Sequence, residues 1–101
     1  MKVKYSKDFE KSVRKLSGKI LQSLIEAIDE VKKADSIEEL NDCKKIASLN
    51  NVYLLRIGDR RAFFILHIYL DENEVRFEYL VSRGEAYAKK NMDRLRAKDT
   101  K

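Results

Sequence analysis

The fold of this chain is decided by residues 52–66, which read VYLLRIGDRRAFFIL. Two runs of apolar, strand-forming residues flank the turn signal Gly58-Asp59, and this pattern predicts a β-hairpin. Three arginines crowd around that turn: Arg56, Arg60 and Arg61. A guanidinium group is always charged and binds phosphate oxygens in pairs, so the hairpin is predicted to present a stiff surface suited to phosphate.

Length and composition predict one soluble globular domain, residues 1–101. Of the 101 residues, 44% are hydrophobic and 39% are charged, which is typical of a folded domain with a heavily charged surface. The formal net charge of +5 favours polyanionic partners. One cysteine excludes an internal disulfide, and no Cys/His spacing typical of zinc occurs. Without a signal peptide or a long apolar run, we expect a cytoplasmic protein with no membrane partner.

The first half of the chain predicts a helix hairpin after a short opening strand at residues 3–5. Ser6 is placed to cap a first amphipathic helix, and the pair Ser17-Gly18 interrupts its apolar periodicity. A second, longer helix follows and ends near Ala34. The apolar stripe of the two helices needs a partner, and a sheet from the second half is the only candidate large enough.

Residues 35–51 carry a weaker pattern. Ser36 and Glu39 have the spacing of a capping box, which predicts a short helical turn. Residues 44–46 are interpreted as an extended approach to the hairpin.

The second half predicts three consecutive antiparallel strands, at residues 52–57, 61–69 and 75–82. The middle strand is apolar on both sets of alternating side chains, which predicts a central strand covered on both faces or partly covered on its second face. The last strand alternates apolar with polar residues, which predicts one buried and one wet face. A helix at about 85–95 and a polar tail at 96–101, expected to fray, complete the chain.

These elements together predict an α+β fold. We expect an N-terminal helix hairpin packed on an antiparallel β-sheet, with a short C-terminal helix. The predicted sheet consists of the short N-terminal strand and the three-stranded meander.

Few residues of this sequence are suited to acid–base catalysis. No Ser/His/Asp or Cys/His arrangement and no phosphate-binding glycine loop is recognisable. The one histidine, His67, lies in the apolar middle strand, where a packed or hydrogen-bonded core role is favoured over a functional one. Arg61 and Arg83 would lie at ends of adjacent strands, with Tyr87 close by. The alternative interpretation is that the turn arginines form ordinary surface ion pairs, with Asp59, Glu78 or Glu85.

Two motifs, YLLRIGDRRAFF at residues 53–64 and VSRGEAY at residues 81–87, resemble those of the RelE/ParE superfamily of bacterial toxins from toxin–antitoxin pairs. Members typically show a Y-R-L-R-I-G-D-Y-R hairpin, followed by a strand that ends in an arginine with a tyrosine nearby. The resemblance implies a compact α+β toxin with two helices on an antiparallel sheet. It also implies a cognate antitoxin as partner, in a hetero-oligomer.

The RelE-like branch further implies a ribosome-dependent mRNA endonuclease that inhibits translation and needs no metal or cofactor. In that reaction the 2′-hydroxyl attacks the adjacent phosphate and leaves a 2′,3′-cyclic end. By position, Arg61 would hold the scissile phosphate, Arg83 would serve the leaving oxygen or the phosphate, and Tyr87 would orient the base or the nucleophile. Other basic residues are expected to contact RNA: Arg60, Lys44, Lys45, Lys89 and Lys90.

The chain departs from the RelE pattern at two positions, since Leu54 and Arg56 stand where the RelE type has lysines. Leucine cannot move a proton, and arginine holds its proton too tightly to be an easy base, so we expect Arg56 to act in catalysis through its charge. Because ParE-like members inhibit DNA gyrase by binding, a gyrase inhibitor without RNA cleavage is the alternative function. A basic interaction module without activity is a third.

Overall fold

A five-stranded mixed sheet forms the centre of the computed structural model, which describes residues 1–100. Its strands are β1 (Lys2–Tyr5), β2 (Cys43–Lys45), β3 (Val52–Ile57), β4 (Arg60–Ile68) and β5 (Asn73–Ser82). Their spatial order is β1-β5-β4-β3-β2. The predicted antiparallel meander of β3, β4 and β5 is confirmed.

Two features of the sheet differ from the prediction. β1 runs parallel to β5, so the sheet is mixed and not antiparallel throughout. The pairing with β5 continues one residue beyond β1, where Ser6 donates its backbone N–H to the Phe77 carbonyl at 2.9 Å. The first helix therefore begins beside β5. The segment expected to approach the hairpin as an extended chain is β2, an edge strand paired with β3.

Three α-helices are present in residues 1–100: α1 (Lys7–Arg14), α2 (Gly18–Lys33) and α3 (Lys89–Lys98). The predicted helix hairpin is therefore confirmed as α1 and α2. Ser6 caps α1, since its Oγ accepts the Phe9 backbone N–H at 3.0 Å. The capping box is also confirmed, because Glu39 Oε2 accepts the Ser36 N–H at 3.0 Å beside a short 3₁₀ turn.

The last helix is displaced along the chain from its predicted position. Residues Arg83–Glu85 form a 3₁₀ turn, and α3 begins at Lys89 rather than near Glu85. The tail expected to fray is instead held. The Asp99 carboxylate accepts the backbone N–H groups of Asn50 at 2.6 Å and Asn51 at 2.9 Å. Lys101 lies outside the described residues.

Both faces of the sheet are covered, as the doubly apolar β4 predicted. On one face α1 and α2 pack over a cluster that includes Phe9, Leu24, Phe64 and Phe77. On the other face α3 and the loop before β3 pack over a second cluster. Members of that cluster include Ile46, Leu54, Phe63, Tyr79 and Leu95. We call these two sides the α1–α2 face and the α3 face.

The simple alternation predicted for β5 is wrong. A register shift opposite Phe63 and Phe64 inserts one extra residue, Glu78, into β5. As a result Phe77 belongs to the core of the α1–α2 face, whereas Tyr79 belongs to the core of the α3 face. Both faces of β5 are therefore buried along most of its length, and Glu78 itself is 3% exposed.

No helix within residues 1–100 combines the length and the apolar character needed to cross a membrane.

Candidate functional site

Two arginines face each other across the β3–β4 hairpin. Arg56 is paired in register with Arg61. Side chains alternate along a strand, and Leu54 and Phe63 belong to the core of the α3 face, so both arginines project on that face. Directly opposed residues have Cβ atoms about 4.5–5.5 Å apart, and like charges at that spacing repel. The hairpin thus holds two positive charges together.

Arg61 is held by the turn without being neutralised. Its Nη1 donates to the carbonyls of Gly58 at 2.9 Å and Arg60 at 2.8 Å. Gly58 has a φ of +57°, a left-handed conformation that makes glycine the suitable residue in this two-residue turn. Because both acceptors are neutral carbonyls, the guanidinium keeps its full charge for a ligand.

Arg83 lies at the same end of the sheet as Arg61. β5 ends at Ser82, which pairs with Arg60, and the Arg83 backbone N–H donates to the Asp59 carbonyl at 2.8 Å. Within residues 1–100, Arg56, Arg61 and Arg83 form no ion pair with a carboxylate. The ion-pair interpretation therefore does not describe these three arginines.

Tyr87 and Lys44 extend this basic surface. Tyr87 lies between the 3₁₀ turn and α3, not in the first turn of a helix, and its side chain is 58% exposed. Lys44 Nζ is 6.0 Å from the centre of the Tyr87 ring, within range of a cation–π contact. Lys44 pairs with Leu54 in register, so it projects on the α3 face and is diagonal to Arg56.

The structure thus brings four of the predicted residues into one group, which we call the hairpin site: Lys44, Arg56, Arg61 and Tyr87. The backbone of Arg83 adjoins it at the turn. Nothing in the sequence revealed that Lys44 and Tyr87 meet, because β2 is only three residues long and its register on β3 carries no local signal.

Arg60 is not part of the hairpin site. It alternates with Arg61 on β4, so it projects toward the α1–α2 face, where it forms an ion pair with Asp59 at 3.3 Å. Lys45 is also outside the hairpin site, because its Nζ donates a hydrogen bond to the Leu49 carbonyl at 2.7 Å. Lys89 and Lys90 are exposed at the start of α3, two and three residues after Tyr87.

The histidine lies far from this group. His67 is six residues along β4 from Arg61, which corresponds to about 20 Å of strand. It is half-buried, lies outside both core clusters and stacks on Tyr69 with the ring centres 6.5 Å apart. The predicted core role of His67 is therefore wrong: the residue lies half-buried at the opposite end of β4 from Arg61.

Two other titratable groups lie on the opposite face of β2 and β3. Burial raises the pKa of the Cys43 thiol to about 11, and burial is also the main cause that raises the pKa of Tyr53. Both pack against the core under α1 and α2. Within residues 1–100 no group of three or more His, Cys, Asp or Glu side chains is arranged to hold a metal ion.

Comparison with known proteins finds solved structures of similar fold. No family model matches the chain, and no curated protein matches it in sequence. A chain in the structure of the RelB-RelE antitoxin-toxin complex from Methanococcus jannaschii matches with a TM-score of 0.66 and 24% identity. That match covers 83% of this chain and 94% of the other.

Two further structures agree. A chain of the archaeal RelE-RelB complex from Pyrococcus horikoshii OT3 has a TM-score of 0.65 and 22% identity, covering 84% of this chain and 97% of that one. A chain of the intact E. coli RelBE toxin-antitoxin complex has a TM-score of 0.60 and 18% identity, covering 80% and 94%. At these identities the likeness establishes the fold, so this chain has the α+β fold of the RelE toxins.

Proposed function

We propose that this protein, residues 1–101 as one domain, is the toxin of a type II toxin–antitoxin system. We further propose that it is a cytoplasmic endoribonuclease that cleaves mRNA on the ribosome and thereby inhibits translation. The observation that carries this function is the opposed pair Arg56 and Arg61, held on one face of a hairpin without a carboxylate partner. Two guanidinium groups in that position repel each other until an anion lies between them.

In the proposed reaction the 2′-hydroxyl oxygen attacks the adjacent phosphorus. A bond forms from the 2′-oxygen to phosphorus, and the bond from phosphorus to the 5′-oxygen breaks, leaving a 2′,3′-cyclic phosphate. Negative charge on the phosphoryl oxygens increases in the transition state, and fixed guanidinium groups stabilise it without reorganising. Arg61 and Arg56 would take this role, and Arg83 would approach from the adjoining turn.

Proton transfer needs a different side chain, because arginine does not release its proton readily. Lys44 is the residue of the hairpin site that combines a positive charge with an exchangeable proton. As an ammonium group it would donate a proton to the departing 5′-oxygen. Tyr87, exposed beside Lys44, would stack on a base and orient the nucleotide. The proton of the 2′-hydroxyl would pass to solvent or to a ribosomal group.

A cognate antitoxin is the expected protein partner. The solved structures of similar fold are toxin–antitoxin complexes, which supports a partner of that kind. An acidic, amphipathic segment would complement the unpaired arginines and neutralise them when RNA is absent.

The decisive experiment compares Arg61→Ala and Arg83→Ala with the wild type by primer extension on a translated message. We expect Arg61→Ala to lower the cleavage rate by about 10²–10³, the usual loss when one donor to transition-state charge is removed. Arg96→Ala is the matched control, because Arg96 is exposed on α3 and paired with Asp93. Thermal unfolding should remain cooperative in all three variants, which would show that each is folded. Normal cleavage by both Arg61→Ala and Arg83→Ala would overturn the assignment.

A gyrase inhibitor of the ParE kind remains the second candidate, and Leu54 is the observation that favours it. Leu54, which pairs with Lys44 on the α3 face, stands where the RelE type has a lysine, so this position lacks a proton-transferring group. A supercoiling assay with the purified protein separates the two functions. Inhibition of gyrase with intact messages would favour this candidate, whereas cut messages with normal gyrase activity would exclude it.

A further inference from the structure

A second basic surface lies in a cleft of about 500 Å³ between α1, the end of β5 and α3. Four basic side chains line it: Lys11, Lys15, Arg60 and Arg94. The carboxylates in its lining are those of Asp8 and Glu85, so positive charge exceeds negative charge. The hydroxyl group of Ser12 adds a hydrogen-bond donor. This composition suits an anion.

Arg94 is held in place without a carboxylate partner. Its Nη2 donates to Asn91 Oδ1 at 2.9 Å, and its guanidinium carbon lies 4.0 Å from the centre of the Tyr79 ring. Its Nε is buried and has no hydrogen-bond acceptor in the part of the chain that the structure describes. Arg94 therefore adds to the cleft lining a positive charge that no carboxylate within residues 1–100 neutralises.

Lys11 on α1 and Lys15, the residue that follows α1, add further positive charge to the cleft. Lys11 and Lys15 are one helical turn apart on one face, where like charges repel. Neither forms an ion pair within residues 1–100. The acids nearby are partly engaged, since Arg60 is paired with Asp59 and Glu85 accepts the Ser82 hydroxyl at 2.9 Å.

The cleft and the hairpin site lie at the same end of the sheet. The cleft runs past the end of β5, from α1 on one face to Arg94 and Tyr79 on the α3 face. Arg60 and Arg61 are consecutive on β4, so one side chain projects toward each basic surface. A flexible polymer with a phosphate on every nucleotide can place one phosphate in the cleft and another in the hairpin site as it passes around the hairpin turn. Single-stranded RNA has this regular spacing of charge.

We propose that the cleft is a second anion site, which binds a phosphate of a single-stranded RNA chain whose neighbouring nucleotides occupy the hairpin site. The inference requires that the protein bind RNA but not that it cleave RNA. A protein that binds RNA without cleaving it would contradict the proposed nuclease function and leave the cleft proposal standing.

The test measures binding of the full chain to a 2′-O-methyl oligonucleotide of about 12 nucleotides, which cannot be cleaved, by fluorescence anisotropy at several salt concentrations. The variant is Lys11→Gln with Lys15→Gln. Its matched control is Lys19→Gln with Lys32→Gln, which removes the same charge from exposed positions on α2. We expect the cleft variant to bind at least tenfold more weakly at low salt. The slope of log affinity against log salt should fall by about 0.7 for each phosphate that the variant no longer neutralises.

A second measurement follows the Nε–H resonance of Arg94 by NMR in the wild type during the same titration. We expect that resonance to shift at the oligonucleotide concentrations that give half-maximal anisotropy. The proposal is overturned if the cleft variant binds like the wild type, or if the α2 control loses as much affinity. It is also overturned if the cleft variant keeps its RNA affinity but loses binding to an Asp/Glu-rich peptide, since the cleft would then bind a protein partner.

Discussion

The opposed arginines are the residues at which stability and binding conflict. Arg56 and Arg61 form a like-charge cross-strand pair, which weakens the hairpin when nothing is bound. The turn compensates in part, since two carbonyls accept hydrogen bonds from Arg61. An anion bound between the two arginines would meet side chains that are already in place, and it would remove the repulsion between them. For this reason the pair carries the proposed function.

Lys44 is the residue for which proton transfer can be tested directly. We predict that Lys44→Gln and Lys44→Arg both lower the cleavage rate by about 10²-fold or more, because arginine restores the charge but not the proton. An RNA substrate with a 5′-sulfur leaving group departs without protonation and should restore the rate of Lys44→Arg. Lys19→Gln, on α2, should cleave both substrates like the wild type. If the sulfur substrate gives no recovery, Lys44 is not the proton donor; if Lys44→Arg cleaves the ordinary substrate like the wild type, Lys44 acts only through its charge.

Cys43 is predicted to react slowly in the folded protein. Burial raises its thiol pKa from 9.0 to about 11, so the reactive thiolate should be about a hundredfold scarcer at pH 8 than in the unfolded chain. Alkylation by iodoacetamide, with and without urea, measures this difference. Equal rates in the two conditions would show that the thiol is not protected.

The same raised pKa has a consequence for stability at high pH. Between about pH 9 and 11 the unfolded chain loses the thiol proton while the native state keeps it. The unfolded state therefore binds fewer protons, so the free energy of unfolding should decrease as pH rises through that range and be unaffected by Cys43 below it. Cys43→Ala should show a smaller decrease over the same range in urea titrations.

Among the secondary-structure elements, α1 depends on a single cap that also joins it to the sheet. Ser6 Oγ accepts the Phe9 N–H and donates to the Glu78 carbonyl at 2.6 Å, at the bulge of β5. We predict that Ser6→Ala lowers the free energy of unfolding by about 1–2 kcal/mol. Ser17→Ala is the control, because Ser17 precedes α2 without a side-chain capping bond and should cost less than about 0.5 kcal/mol. Equal losses in urea denaturation would contradict this role for Ser6.

At the scale of the whole molecule, the sheet is stable because both of its faces are covered. Leu95 is the fully buried contribution of α3 to the core of its face. We predict that Leu95→Ala lowers the free energy of unfolding by about 2–5 kcal/mol, the usual range for a buried leucine. Leu70→Ala, at a fully exposed loop position, should change it by less than about 0.5 kcal/mol. A small loss at Leu95 would mean that α3 is not needed to close the core.

Local sequence patterns by themselves determined most of the elements of this protein. The apolar runs on either side of the turn at Gly58 and the helical spacing before Ala34 each depend on neighbours within a few positions. The hairpin, the meander and the two N-terminal helices were therefore predictable. The permanent charge of the arginines followed from residue type alone.

Only the tertiary structure decided which side chains meet. The bulge at Glu78 moves Tyr79 to the α3 face, and the register of β2 on β3 brings Lys44 near Tyr87, 43 positions further along the chain. These arrangements depend on contacts between segments far apart in sequence, which compete for burial and for backbone hydrogen bonds across the whole sheet. A one-residue change of register reverses the face of every later side chain, and no local pattern encodes that choice.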